Sequence, residues 1–426
     1  MNASLPGFPF FHYHQDQLYL EQVDMAALAA QYGTPLYVYS KAALIHAVSG
    51  YQQALTHTPS HLVCYAVKAN SSLAILQTLA QAGCGFDIVS GGELQRVLTA
   101  GAKANTVVFS GVGKTRAEMH QALKAGIKCF NVESLQELDV LASVAKEAGA
   151  QAPVSLRINP DVDAKTHPYI STGLENNKFG IAYKQALAAY QHAASLPDLR
   201  IVGIDCHIGS QITEASPYLD TVNRLLALIQ QIESHGIHLE HIDLGGGLGI
   251  TYHDETPPTP TNLYQPLIER LHAHGLQSRE LLVEPGRSIV GNAGALITQV
   301  LYLKPGAHKN FCIVDAAMND LARPAMYEAY HEIVELKRHA DLPAAPYDVV
   351  GPVCESSDWL GYDRQLRVQA GDFLAVLSAG AYGMTMSSNY NSRTRAAEIL
   401  VDGKSVHLIR KREAVTDLYA HEQLLP

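Results

Sequence analysis

Three features of this 426-residue sequence are equipped for chemistry: Lys68 in YAVKAN, the glycines 245, 246 and 247 in DLGGGLG, and Glu284-Pro285-Gly286-Arg287 in VEPGR. A lone lysine closing an apolar run reads first as a surface residue whose stem lies along a rim. In a pocket stripped of water its ammonium is disfavoured, and the neutral amine can attack an aldehyde to form an imine. Three consecutive glycines let backbone N–H groups approach an anion, although such a run also serves as a plain turn. With the cation-bearing loop at Arg287 nearby, the glycines read as a cradle for a phosphorylated ligand. Amine and cradle together suggest pyridoxal phosphate, whose aldehyde needs the one and whose 5′ group needs the other. Its ring nitrogen needs a carboxylate partner, and Glu284 fits; the plainer role for Glu284 is a rim ion pair with Arg157 or Arg287. His207 is placed to cover a ring face, though without that context it reads as a core histidine.

These residues need a scaffold. From about residue 60 the chain repeats a short apolar run, a helical segment and Ala-Gly. The runs are HLVCYAVKAN, GCGFDIVS, TVVFS, KCFNVES, PVSLRINP, IVGIDCHIGS, HIDLGGGLG and LLVEPGR. Helices are expected to stop at Gly83, Gly101, Gly126 and Gly149 and to open with capping boxes at Thr115/Glu118 and Ser134/Glu137. Eight such runs predict an α/β fold, a closed (β/α)8 TIM barrel, with an open doubly wound sheet as second choice. In such barrels the chemistry sits at the C-terminal strand ends, here marked by Lys68, Asp87, Ser110, Glu133, Arg157, His207, Asp243 and Glu284. Strand alternation places Cys64, Ala66 and Lys68 on one face, so small residues lie beneath the lysine.

After Ile289 the pattern changes to strand-like stretches without regular helices: ALITQVLYLK, NFCIVDAA, YDVVGPVC, DFLAVLSA and EILVDGKSVHLI. The expected division is a cofactor-binding barrel over 36–290 and an all-β C-terminal domain over 291–426, a β-barrel or sandwich to which residues 1–35 contribute a strand. TYHDETPPTPTN (251–262) reads as an insertion-like loop after the seventh strand.

Composition narrows the function class. With 31 basic and 41 acidic residues the formal net charge is −10, so the chain is a poor non-specific binder of nucleic acid or anionic membrane. Charged residues are 17% and hydrophobic ones 47%, which excludes a disordered chain and implies a large core. Six cysteines stand singly, at 64, 84, 129, 206, 312 and 354, which argues against a disulfide framework or structural metal site. No Lys or Arg precedes Lys41 and no run of about 18 apolar residues occurs, so the expectation is a soluble cytoplasmic protein.

The runs YAVKAN, FDIVSGGE, HIGSQ, DLGGGLGI, EPGR, RPAMYEAYH, GPVCESSD and GAYGMTMSSNYNSR resemble, in order and from about residue 35 to 410, the alanine-racemase-fold (fold type III) pyridoxal phosphate decarboxylases. That resemblance implies that Lys68 carries the imine to the cofactor and that His207 stacks on its ring. Ser210, Gly247 and the run Glu284, Pro285, Gly286, Arg287 then hold it, Glu284 at the ring nitrogen, with Tyr382 also at the cofactor. It further implies a homodimer in which Cys354 and its neighbours reach the partner subunit's site, Cys354 acting as the acid that protonates carbon after CO2 leaves. Such a positioned acid contributes about 10²–10⁴ in rate.

Substrate choice rests on the far end of the side chain. A second amino acid head needs a cation for its carboxylate and an acid for its amine. Arg287 and Arg323 can supply the first, Glu355 the second, and Tyr327 and Tyr382 add hydroxyls. RPAMYEAYH and CESSD are similar to the diaminopimelate-specific pattern of the family, which implies decarboxylation of meso-diaminopimelate to L-lysine, the last step of lysine biosynthesis. Decarboxylation of ornithine, arginine or carboxynorspermidine, a racemase, and a non-catalytic regulatory homologue are the alternatives. Ser357 departs from the family, which usually has glycine there, and Trp359 follows Asp358.

Overall fold

The structure is a computed structural model that describes residues 5–163 and 177–426. Its contacts divide the chain into two compact units: residues 45–250 with 256–289, and residues 1–44 with 251–255 and 290–426.

The first unit is the expected closed barrel. Its strands are β1 (His61–Ala66), β2 (Gly85–Ile88), β3 (Val107–Phe109), β4 (Cys129–Val132), β5 (Ala152–Asn159), β6 (Leu199–Asp205), β7 (His241–Asp243) and β8 (Glu280–Val283). Each pairs in parallel with the next, and Leu281–Val283 pair with His61–Val63 to close the ring. All eight apolar runs are therefore strands, and the open sheet is excluded. The floor is small and dry, built from Cys64, Val108, Cys129, Val202 and Leu282 with Leu62 against them. His241 also lies buried there, and burial pushes its imidazole down to about 3, so it packs as a neutral ring.

Local signals behave as their chemistry requires. Gly83, Gly101, Gly126 and Gly149 all have left-handed φ, between +63° and +91°, just beyond the ends of four helices. Thr115 and Glu118 form the reciprocal box. At Ser134 only half of it forms: its hydroxyl accepts from Glu137 N, but the Glu137 carboxylate accepts instead from Glu133 N and from Lys114 Nζ. The Pro-rich segment is not loop to its end. Pro260 opens the helix Pro260–Ala273 behind the cap Thr259, because proline suits the first helical position.

The second unit carries two sheets. One is the three-stranded Phe11–His14, Gln17–Leu20, Val23–Asp24. The larger runs Trp359–Leu366, Ala345–Val350, Phe311–Val314, Gly294–Lys304, Leu36–Ser40, Ala397–Asp402, Ser405–Arg410, with Phe373–Val376 branching from Gly294–Lys304 and Ile333–Glu335 pairing with Phe373–Val376. Leu36–Ser40, counted with the barrel in the sequence division, pairs instead on both sides within this sheet, and all five of its residues are buried. The five predicted stretches are strands, the last split into a hairpin at Gly403 (φ +63°). The unit is not purely β. Met25–Tyr32 forms a helix, capped by Asp24 and ended by Gly33, and Arg323–Tyr327 forms a single turn. The N-terminal residues contribute three strands and that helix, where one strand was expected. No helix among the described residues is long and apolar enough to cross a membrane.

Candidate active site

Lys68 emerges from β1 in the short 3-10 turn Val67–Ala69, so strict strand alternation ends one residue before it. Its Nζ meets Asp87 Oδ2, at the end of β2, at 2.6 Å. The Asp87 side chain is fully buried while that of Lys68 is 37% exposed. The desolvated amine expected from sequence is thus corrected: the lysine is partly wet, and a neighbouring carboxylate favours its ammonium form.

After β7 the three glycines fill seams no side chain could enter. A Cβ at Gly246 would stand 2.0 Å from Glu284 O, one at Gly245 2.6 Å from Cys206 O, and one at Gly247 2.4 Å from Gly209 O. Two of their N–H groups are already engaged, Gly245 N with Asp243 Oδ1 at 2.9 Å and Gly246 N with His207 Nδ1 at 3.1 Å. Among the described residues the N–H of Gly247 has no acceptor. Tyr218, on the helix Ser216–Ser234, braces the loop by donating to Gly246 O.

The loop after β8 is tied to β1 by the hydrogen bond from Ala66 N to Pro285 O, and Gly286 packs where a Cβ would press on Ala66 and Ala69 at 3.1 Å. Arg287 is buried and donates to Ser210 Oγ from Nε (3.3 Å) and Nη2 (3.0 Å). Neither rim pair considered for Glu284 is the one formed. Arg157 instead meets Glu133 at 3.2 Å, and Glu133 also accepts from Gly111 N and Gly180 N. Glu284 accepts from Asn131 Nδ2 at 3.2 Å.

Charge is concentrated here. Burial, then the carboxylates of Asp243, Asp87 and Asp205, push Glu284 well above the usual carboxylate range, with Lys68 opposing. Burial together with Asp243 does the same to Asp205. Burial, followed by the charges of Arg157 and Lys68, holds His207 well below its ordinary value. A neutral His207 whose Nδ1 accepts from Gly246 N carries its proton on Nε2.

In the second unit Arg323 is buried, donates to His331 Nε2 at 2.7 Å and lies 4.6 Å above the Tyr252 ring. His331 donates from Nδ1 to Leu377 O, which fixes it as a neutral acceptor for the guanidinium. Tyr327 closes the same helical turn. Cys354 is the one exposed thiol of the six. Its N–H is held by Asn391 Oδ1 at 3.0 Å, and Glu355 accepts from Tyr390 Oη at 2.5 Å. Asp358 secures this loop by accepting from Met318 N and Val353 N. Ser357 does not take a left-handed φ, so the backbone there does not demand glycine. Trp359 packs against Tyr362, the ring centroids 4.0 Å apart and the planes tilted by 32°. Tyr382 has φ +55°, a strained conformation of the kind functional sites retain.

Sequence reasoning thus grouped Lys68, His207, Ser210, Gly247, Glu284, Pro285, Gly286 and Arg287, and the structure sets all of them at the C-terminal ends of β1, β6, β7 and β8. The described contacts of Arg323 and Glu355 do not include one another. Asp87 and Asp243 were visible as strand-end acids but received no role, and Asp205, Asn131, His331, Tyr390 and Asn391 were missed. Only the buried position of Asp205, in the otherwise apolar IVGID, could have signalled it.

A family model described as the pyridoxal binding domain of pyridoxal-dependent decarboxylases matches residues 42–291. The diaminopimelate decarboxylase of Vibrio cholerae is 57% identical over 98% of this chain and 99% of its own length, and that of Pseudomonas aeruginosa 56% over 98% and 99%. Among solved structures, a diaminopimelate decarboxylase from M. jannaschii in complex with L-lysine superposes with a TM-score of 0.95 at 39% identity, covering 99% of each chain. One from Helicobacter pylori complexed with L-lysine gives 0.89 at 42%, covering 94% of this chain and 99% of that one.

Proposed function

Since the chain belongs to the pyridoxal-dependent decarboxylases, in their diaminopimelate decarboxylase branch, we propose that its barrel mouth removes CO2 from meso-diaminopimelate to give L-lysine, the last step of lysine biosynthesis. The observation that carries this reading is the gathering, around one mouth, of Lys68 after β1 with the Arg287–Ser210 pair and the available Gly247 N–H from the loops after β8, β6 and β7.

The residues fit pyridoxal phosphate. Gly247 and Gly286 occupy places a Cβ would fill, and the Gly247 N–H awaits an acceptor. Lys68 Nζ would tether the cofactor. Arg287, Ser210 and Gly247 N would hold its phosphate, Pro285 and Gly286 would shape that loop, and Glu284 would meet the ring nitrogen. His207 would cover one ring face and Tyr382 would lie beside it. When bound, the cofactor supplies an electron-poor ring that accepts the electron pair left by departing CO2.

Around it the chain's own groups orient and move protons. Asp87 holds Lys68 Nζ in place at 2.6 Å. His207, neutral and oriented by Gly246, presents a flat uncharged face. Arg323, held between Tyr252 and His331, would take the carboxylate at the far end of the substrate. Glu355 would accept from the amine there, and Tyr327, Tyr382 and Arg287 would add substrate contacts. Cys354 Sγ, contributed by the partner subunit of a homodimer, would return a proton to the carbon that lost CO2. We place the enzyme in the cytoplasm.

The test offers meso-diaminopimelate, L-ornithine, L-arginine and carboxynorspermidine to purified enzyme with added cofactor. Lysine and CO2 from the first alone are expected. Release of CO2 from another, and none from diaminopimelate, overturns the substrate assignment.

A further inference from the structure

We propose that Asp243 is a positioning residue for Glu284: the two buried carboxyl groups share a proton, and this fixes where, and in which charge state, Glu284 stands at the barrel mouth. The inference rests on the reading of Glu284 as the ring-nitrogen partner.

Asp243 ends β7 and Glu284 follows β8, the neighbouring strand, with Asp243 in register with Leu282. The loops are locked together by Glu284 N donating to Gly245 O at 2.8 Å. Carboxylate oxygens of Asp205, Asp243 and Glu284 lie within 4.8 Å of one another, and all three residues are buried. Asp243 Oδ1 accepts from Gly245 N, but the buried Oδ2 has no donor among the described residues, and neither has Asp205 Oδ1. An acceptor enclosed beside other acceptors is costly unless one of them carries a proton that the other receives.

The surroundings leave that proton as the remaining remedy. The charged groups facing the cluster are Asp87 from β2, Glu133 after β4, Arg157 from β5 and Lys68 after β1. Lys68 is paired with Asp87, and Arg157 with Glu133. From the floor come the thiols Cys64 and Cys129, which burial keeps protonated. His207 is neutral. Burial, with the charge of Asp87 adding to it, accordingly pushes Asp243 up to about 7 against the Gly245 N–H. The pair titrates as a unit.

Asp243→Asn keeps an acceptor for Gly245 N but offers Glu284 a fixed donor, so the shared proton is lost while the fold contact remains. The apoproteins of wild type, Asp243→Asn, Glu284→Gln and the double variant are titrated with pyridoxal phosphate, and their urea stability is followed between pH 5 and 8. If Asp243 acts through Glu284, each single variant raises the Kd about tenfold and the double variant is no weaker than Glu284→Gln alone. Wild-type stability falls across this range, because the folded state holds a proton that the unfolded state has released. Asp243→Asn flattens that fall. Multiplied effects in the double variant, or an unchanged slope, overturn the proposal alone. If Glu284→Gln leaves both the Kd and the bound cofactor's absorption spectrum unchanged, the reading of Glu284 falls and the proposal falls with it. Should Asp243→Asn not fold, Glu284→Gln must flatten the same slope, and an unchanged slope there counts against the shared proton.

Discussion

Lys68 Nζ stands 2.6 Å from Asp87 Oδ2 across the seam between the first two barrel strands, a wet ammonium against a fully buried carboxylate. The carboxylate favours the charged amine, and only a neutral amine attacks an aldehyde. Asp87→Asn should therefore raise, several-fold at pH 7, the rate at which borohydride traps pyridoxal phosphate on the apoprotein. Peptide mapping should find the label on Lys68 in both proteins. A slower reaction in the variant would mean that Asp87 serves the lysine only by aiming it.

Arg323 touches two groups suited to a planar guanidinium, the Tyr252 ring and His331 Nε2. Arg323→Lys keeps the charge and loses both contacts. We expect KM for diaminopimelate to rise about tenfold with a smaller change in kcat, since an ammonium cannot reproduce the bidentate hold of a stacked guanidinium on a carboxylate. Inhibition by L-lysine should weaken in parallel, because the product keeps the carboxylate that Arg323 is proposed to hold. A fall in kcat alone would place Arg323 at the reacting end.

If Cys354 serves the partner's site, Lys68→Ala and Cys354→Ala subunits are each inactive but complement one another. Random re-pairing makes half the dimers mixed, each with one intact site, so roughly a quarter of wild-type activity returns. Mixing that restores nothing would mean that Lys68 and Cys354 act from the same chain.

Glu93, in the first turn of the helix Gly91–Thr99, accepts from Val89 N at 2.7 Å, and burial outweighs that bond to push its carboxyl up to about 7. The folded state therefore holds a proton that the unfolded chain, titrating near about 4.3, has given up. Glu93 thus contributes a loss of stability as pH rises from about 4 to about 7. Glu93→Gln, which can still accept from Val89, should reduce that slope. Urea unfolding at pH 5, 6 and 7 measures it, and parallel profiles for the two proteins would refute the assignment.

Two glycine substitutions separate close packing from backbone strain. Gly246→Ala drives a methyl to 2.0 Å from Glu284 O and should cost at least about 3 kcal/mol and the active site with it. Gly101→Ala meets no atom within 4 Å and bears only its left-handed φ of +91°, so about 1–2 kcal/mol and little activity should be lost. Equal costs would show that packing is not what selects glycine at 246.

The barrel was legible because its signals are local. Each strand is a short apolar run, each helix ends in Ala-Gly, and the chemistry follows from which residue closes a run. Lys68, His207 and Glu284 could be read in that way. What escaped depends on which strand ends face each other. The Arg157 partner, the shift of the Glu137 carboxylate away from Ser134, and the gathering of Asp205, Asp243 and Glu284 are set by ring closure between residues far apart in the chain. Leu36–Ser40 was placed with the barrel because apolar character alone does not reveal which sheet a strand joins. The Met25–Tyr32 helix was missed within a segment read for strands, though its alanines favour a helix.

Because Gly245, Gly246 and Gly247 are each pressed against a different neighbouring backbone, this stretch of chain has no slack. Adding or deleting a residue there would pull the ends of β6, β7 and β8 out of register together. Engineered changes of length are thereby steered to the Pro-rich residues near 256–259 that follow, where the chain can be lengthened without disturbing the glycine-lined end of the ring.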